Sequence, residues 1–145
     1  MNQETVLTQQ PSIERAFTVL LSPTRRGARL ARLLTVAHLG AWGLPAESAA
    51  HIVAELATNA VVHGRVRGRD FQLGLAVSGG VLLRIEVTDT RGDRLPPGPG
   101  SGEAPLADEE TGRGLLIVDA LADRWGVAAG PVPRKTVWAE LDLAD

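Results

Sequence analysis

The chain has no cysteine. That excludes disulfides, thiolate metal sites and cysteine nucleophiles. Aromatic residues make up only 3% of it, and the formal net charge is -2 with a pI near 5.9. No global attraction to nucleic acid or to a membrane surface follows from such a balance. No apolar run is long enough to span a bilayer. The opening residues Met1-Asn2-Gln3-Glu4-Thr5 carry neither the basic region nor the apolar stretch of a signal peptide. We therefore expect a cytoplasmic chain with no direct nucleic-acid or membrane partner. Several catalytic signatures are missing as well: there is no G-x-x-x-x-G-K-[ST], no H-E-x-x-H, no G-x-S-x-G, and no Gly-rich loop with an H-R-D set.

What is present reads as one ordinary globular domain. A chain of 145 residues with 44% hydrophobic content buries roughly 70% of the surface it exposes when unfolded, enough for a core without staples. Residues 1–12 are polar and read as a flexible N-terminus, leaving residues 13–145 as a single domain. Arg15 to Leu21 reads as a strand stopped by Ser22-Pro23. Thr24 to Trp42 reads as a helix that Ser22 or Thr24 caps, with Arg25, Arg29 and Arg32 on a solvated face. After Gly43-Leu44-Pro45 comes a second helix, Ala46 to His63. Phe71 to Val77 and Val81 to Asp89 form a hairpin through Ser78-Gly79-Gly80. Thr90 to Thr111 has no apolar periodicity, and a loop of that length in a small domain is usually functional or disordered. A short helix, Leu115 to Ala122, and two strands, Trp125 to Ala129 and Thr136 to Leu143, close the chain. The sum is a two-layer α/β sandwich: a mostly antiparallel mixed sheet with helices on one face.

The second helix is the most informative stretch. Glu55 and Asn59 are four residues apart, so they lie on one face one turn apart. Ile52, Val53, Leu56, Ala57, Ala60, Val61 and Val62 make the rest nearly apolar all round, whereas a surface helix carries a broad charged face. A thin polar stripe of this kind suits a core helix whose edge lines a cleft. His63, at the helix end, reads as a C-terminal cap or a hydrogen-bonded histidine. Asp89 closes a strand, where an acid either starts a turn or accepts a hydrogen bond from an exocyclic amine. Gly112-Arg113-Gly114-Leu115 closes the long loop and opens a helix. Helix N-termini favour phosphate, and glycine lets a ligand approach the backbone.

Taken in order, E-x-x-x-N on a helix (Glu55, Asn59), a strand-ending Asp89, a long loop and G-x-G-L (Gly112, Gly114, Leu115) resemble the Bergerat-fold ATPase and kinase superfamily. That superfamily includes gyrase, heat-shock chaperones, histidine kinases and MutL. The small size and the closing run Lys135-Thr136-Val137-Trp138-Ala139-Glu140-Leu141 are most similar to the anti-sigma-factor serine/threonine kinases. The resemblance implies ATP and Mg²⁺ as ligands, with Asn59 holding Mg²⁺ and Glu55 as the general base. Asp89 would bind the adenine amine, supported by Thr136. Gly112, Arg113 and Gly114 would meet the phosphates, with Leu115 beside them. His63 and Gly92 complete the nucleotide-binding set, and Thr90 to Thr111 is the lid. The implied partners are a sigma factor, a small antagonist protein that carries the acceptor serine, or both. Relatives commonly form homodimers.

The run Asp89-Thr90-Arg91-Gly92-Asp93 departs from the family's D-x-G-x-G. Arginine stands at the first glycine, and Gly92 falls one place before the second. Glu55 favours an active kinase, because a pure binder needs no base beside the metal ligand. Arg91 favours a catalytically weak ATP-binding module that regulates by capturing partner proteins. A bare ATP-hydrolysing module is a third reading, but the transducer domain that usually harvests the energy is missing from it.

Overall fold

The computed structural model describes residues 13–92 and 110–143. Strands β1 (Ile13–Leu21), β2 (Phe71–Ser78), β3 (Leu82–Asp89), β4 (Arg124–Ala129) and β5 (Lys135–Asp142) form one sheet in the order β1-β2-β3-β5-β4. Every described pairing is antiparallel. Helices α1 (Arg25–Ala41), α2 (Glu47–Val62) and α3 (Glu110–Leu121) complete the described elements.

The layering follows from alternation along the strands, whose successive side chains point to opposite faces. Phe71, Leu73, Leu75 and Val77 of β2 are buried, as are Leu83, Ile85 and Val87 of β3 and Val137 and Ala139 of β5. The register sets Leu75 opposite Ile85, and Ile85 opposite Ala139, so these residues share one apolar face. Against it lie Ile52, Val53, Leu56, Ala57 and Ala60 of α2 and Val118 of α3. Each fully buried Leu or Ile contributes about 1.5–3 kcal/mol, so α2 is anchored by a ladder of such contacts.

The opposite face of the sheet carries charge. Arg84 donates to Glu86 (2.7 Å) and to Glu140 (2.8 Å), and Arg124 donates to Glu140 (2.9 Å). Burial alone would raise the Glu140 pKa, but the hydrogen bonds from Arg124 and Arg84 outweigh it and hold Glu140 below its ordinary value. The Arg84 guanidinium lies 4.5 Å over the Trp138 ring, a cation–π arrangement. Gly126 makes room for that indole: a Cβ there would come within 2.8 Å of the Trp138 ring.

Local signals fix the helix ends. Thr24 caps α1, its hydroxyl accepting from the Gly27 N–H at 3.1 Å. The Ser22 hydroxyl lies 2.9 Å from the Thr24 hydroxyl, and the Ser22 carbonyl accepts the Thr24 N–H at 2.8 Å. At the other end Gly43 adopts φ 75°. The Leu44 N–H bonds to the Leu39 carbonyl (2.9 Å) and the Gly43 N–H to the Gly40 carbonyl (3.0 Å), a Schellman termination. Arg25, Arg29 and Arg32 are exposed, as the solvated-face reading expects.

Helix α3 differs from expectation, since it starts at Glu110 rather than Leu115. Two glycines near a helix start suggest loop, since glycine is a poor helix former. Strand β5 likewise begins one residue early, at Lys135.

Candidate functional site

Glu55 and Asn59 sit half-buried on α2, flanked on the sheet side by buried Leu56, Ala57 and Ala60. The apolar residues clamp the helix, and the clamp fixes where the polar stripe points. The side-chain nitrogen of Asn59, Nδ2, is buried with no hydrogen-bond partner among the described residues, and so is His63 Nε2. A buried unsatisfied polar group costs about 1–3 kcal/mol, and such groups call for a partner. His63 is the C-cap residue of α2, its backbone N–H bonded to the Asn59 carbonyl at 2.8 Å. His63 thus takes the cap alternative of the two expected, while its ring Nε2 has no partner among the described residues.

The end of α2 meets the end of β3 at Asp89, which is 6% exposed. Its Oδ1 accepts the Arg91 backbone N–H at 2.9 Å. Its Oδ2 lies 3.6 Å from Lys135 Nζ. The carboxylate also presses on Gly64, the residue after the α2 cap. A Cβ at Gly64 would fall 2.0 Å from Asp89 Oδ2, so only glycine admits the acid there. Burial pushes the Asp89 pKa up, outweighing the Arg91 N–H and the Lys135 charge, which both act to lower it. A carboxyl group kept in a low-dielectric cradle is suited to hydrogen-bond a ligand.

Not every expected site residue joins this group. Thr136 lies directly across from Thr88, and their hydroxyls are 2.7 Å apart. Alternation puts this pair on the charged face of the sheet, away from Asp89. The residue opposite Asp89 is Lys135. Gly92 donates its N–H to the Pro133 carbonyl at 2.8 Å, and a Cβ there would sit 2.8 Å from the same oxygen. Gly92 joins Thr90, Gly130, Pro133 and Arg134 around a cavity of about 330 Å³. That cavity opens where β3 leaves the sheet, and neither Glu55 nor Asn59 lines it. Gly112, Arg113 and Gly114 lie in the first turns of α3, which packs against α2. Leu115 is 6% exposed and belongs to the core, so it seats α3. Residues 93–109, which hold Asp93 and most of the expected lid, lie outside the described residues.

Over residues 21–139 the chain matches the family described as the histidine kinase-like ATPase domain. That span holds Glu55, Asn59, His63, Asp89, Lys135 and the α3 glycines together. The chain belongs to the histidine kinase-like ATPase family. The solved RsbU and RsbW domains of Rv1364c from Mycobacterium tuberculosis are similar in structure, with a TM-score of 0.64 at 20% identity. The match covers 89% of this chain and 32% of that one, so the present chain spans about a third of that structure. At that identity the likeness shows the fold. No curated protein matches the chain.

Within this ATPase domain the sequence reading missed two residues. Gly64 follows the helix-ending histidine and reads as a simple stop; its closeness to Asp89 is a tertiary fact. Lys135 was legible, because buried Val137 and Ala139 alternate with Thr136 and Trp138, which puts Lys135 on the inner face.

Proposed function

We propose that this domain binds ATP with Mg²⁺ and acts as a cytoplasmic anti-sigma-factor serine/threonine kinase, phosphorylating a small antagonist protein in a partner-switching pathway. The observation that carries the nucleotide reading is the cluster at the end of α2. There the Asp89 carboxyl packs against Gly64, and two buried polar atoms of the same helix end, Asn59 Nδ2 and His63 Nε2, have no partner among the described residues. Such a set fits a ligand that brings its own donors and acceptors.

Asn59 would hold Mg²⁺ through its side-chain oxygen, since Mg²⁺ takes oxygen ligands and commonly shares them with substrate phosphates. Rotating the amide by half a turn exchanges its oxygen and nitrogen, an assignment set by the partner present. Bound there, the ion would neutralise charge on the phosphates. No three His, Asp or Glu side chains gather into a metal cage among the described residues, which suits an ion held by one side chain and a triphosphate. Glu55, one turn before Asn59, would accept the proton of the attacking serine hydroxyl. Asp89 would accept from the adenine amine. Gly112, Arg113 and Gly114 would offer backbone N–H groups and a cation to the phosphates. A sigma factor, the antagonist protein or both would bind as partners, and relatives commonly pair as homodimers.

The second reading is a catalytically weak ATP-binding module that works by capturing partners. Arg91 raised that reading, but its backbone N–H holds Asp89 in place, so the missing glycine leaves the carboxylate oriented. Calorimetric titration with ATP and Mg²⁺ should give a micromolar-range dissociation constant, on the order of -8 kcal/mol. Asn59→Ala should lose metal-dependent binding. Glu55→Gln should keep binding and lose phosphate transfer to a serine-bearing partner recovered from the host. Absence of binding at millimolar nucleotide would overturn the reading, and transfer unaffected by Glu55→Gln would leave only the binding module.

A further inference from the structure

Lys135 has no place in the roles above, yet it is among the most enclosed charges of the molecule. It is 5% exposed, and it faces Asp89 as the last rung of the β3–β5 ladder. A buried ammonium is costly without a counter-charge, and the Asp89 carboxylate supplies one. The two form a long ion pair. Their 3.6 Å separation exceeds the roughly 2.7–2.9 Å of a charge-assisted hydrogen bond. The register and the packing of Val87 and Val137, two residues away on each strand and both buried, hold an acceptor and a donor side by side. Gly64 walls the carboxylate from behind.

We propose that Lys135 is a specificity-determining residue of the nucleotide site, forming with Asp89 a buried acceptor–donor couple that reads adenine. This rests on the nucleotide-binding reading above. Adenine presents an amino donor at the six-position next to an unprotonated ring nitrogen, N1, which is an acceptor. Asp89 Oδ2 takes a hydrogen bond from the amine, and Lys135 Nζ donates to N1. A six-keto purine presents these features in reverse, with an acceptor oxygen facing the carboxylate and an N–H facing the ammonium. Sites built to hydrogen-bond a group reject analogues that leave their buried polar atoms unmatched. Apolar neighbours that exclude water make each mismatch count for more.

The test compares ATP, 1-deaza-ATP (in which N1 is replaced by C–H) and GTP, each titrated with Mg²⁺ into the whole chain and its variants. The parent should bind ATP about tenfold more tightly than 1-deaza-ATP, the effect of one lost hydrogen bond, and should discriminate against GTP more strongly. Lys135→Met should bind ATP and 1-deaza-ATP alike, whereas Lys135→Arg, which keeps a donor, should retain a preference. A purely structural lysine would lower affinity for both nucleotides equally and leave their ratio at the parental value; that result overturns the proposal. Equal affinity of the parent for ATP and 1-deaza-ATP overturns it without any variant, so a misfolded Lys135→Met does not blunt the test. A parent that binds no nucleotide overturns the functional reading and this inference together. A parent that binds ATP without sensing N1 overturns this inference alone.

Discussion

At the scale of single residues, the site is organised by what glycine permits. Gly64 lets the Asp89 carboxylate reach the end of α2, and a methyl group would collide with it at 2.0 Å. Gly64→Ala should therefore destabilise the domain by about 1–3 kcal/mol, the usual cost of overpacking, measured by urea unfolding. An unchanged midpoint would mean that the carboxylate has room to move aside. Asp89 itself gives a signed pH dependence. Its folded pKa is raised above the ordinary 3.8, chiefly by burial. The folded state thus holds the proton more tightly than the unfolded chain. The stability this group contributes is fully present below about 3.8 and is lost as pH rises through the folded pKa. The stability of the parent minus that of Asp89→Asn should accordingly fall with rising pH across that window. A difference that grows with pH would show the Lys135 charge outweighing burial.

At the scale of elements, capping chemistry sets the boundaries. Thr24→Ala removes the hydroxyl that accepts the Gly27 N–H and should cost about 1 kcal/mol, read as a lower thermal midpoint. Serine at the same position should restore most of it. Much of this level was legible in the sequence. The period-3.6 pattern located α1 and α2 to within a residue or two, and Gly79 and Gly80, both at positive φ, marked the β2–β3 turn. The start of α3 was not legible, because Gly112 and Gly114 look like loop when no packing partner is known, while Leu115 and Val118 hold the helix on the core. The site was legible in part for the same physical reason. Asn59 and Glu55 stand out against an apolar helix, and Asp89 ends a strand. Thr136 pairs with Thr88 on the face of the sheet opposite Asp89, because one step along a strand exchanges the two faces of a sheet.

At the scale of the whole molecule, α2 serves both the core and the cleft. It packs on α1, on α3 and on the sheet, while its polar edge carries Glu55 and Asn59. Leu56→Ala, between those two residues at 1% exposure, should cost about 2–5 kcal/mol. It should also weaken nucleotide binding, because the helix that orients Asn59 loses its anchor. Calorimetric unfolding and titration of the same variant test both. A large loss of stability with unchanged affinity would show that the cleft is organised independently of the core. Among the described residues no helix is long and apolar enough to cross a membrane.

The chain has no tyrosine and three tryptophans, so its ultraviolet emission comes from indoles alone. Trp125 donates its ring N–H to Asp119 of α3 at 2.9 Å, tying β4 to the helix that carries Gly112 and Gly114. Trp138 rests under the Arg84 guanidinium on the far face of the sheet. One indole thus senses the helix beside the cleft, and another stands away from it as an internal reference. A shift in α3 on nucleotide addition would change the colour and quenching of Trp125 while leaving Trp138 constant, so the molecule carries its own optical reporter and needs no attached dye.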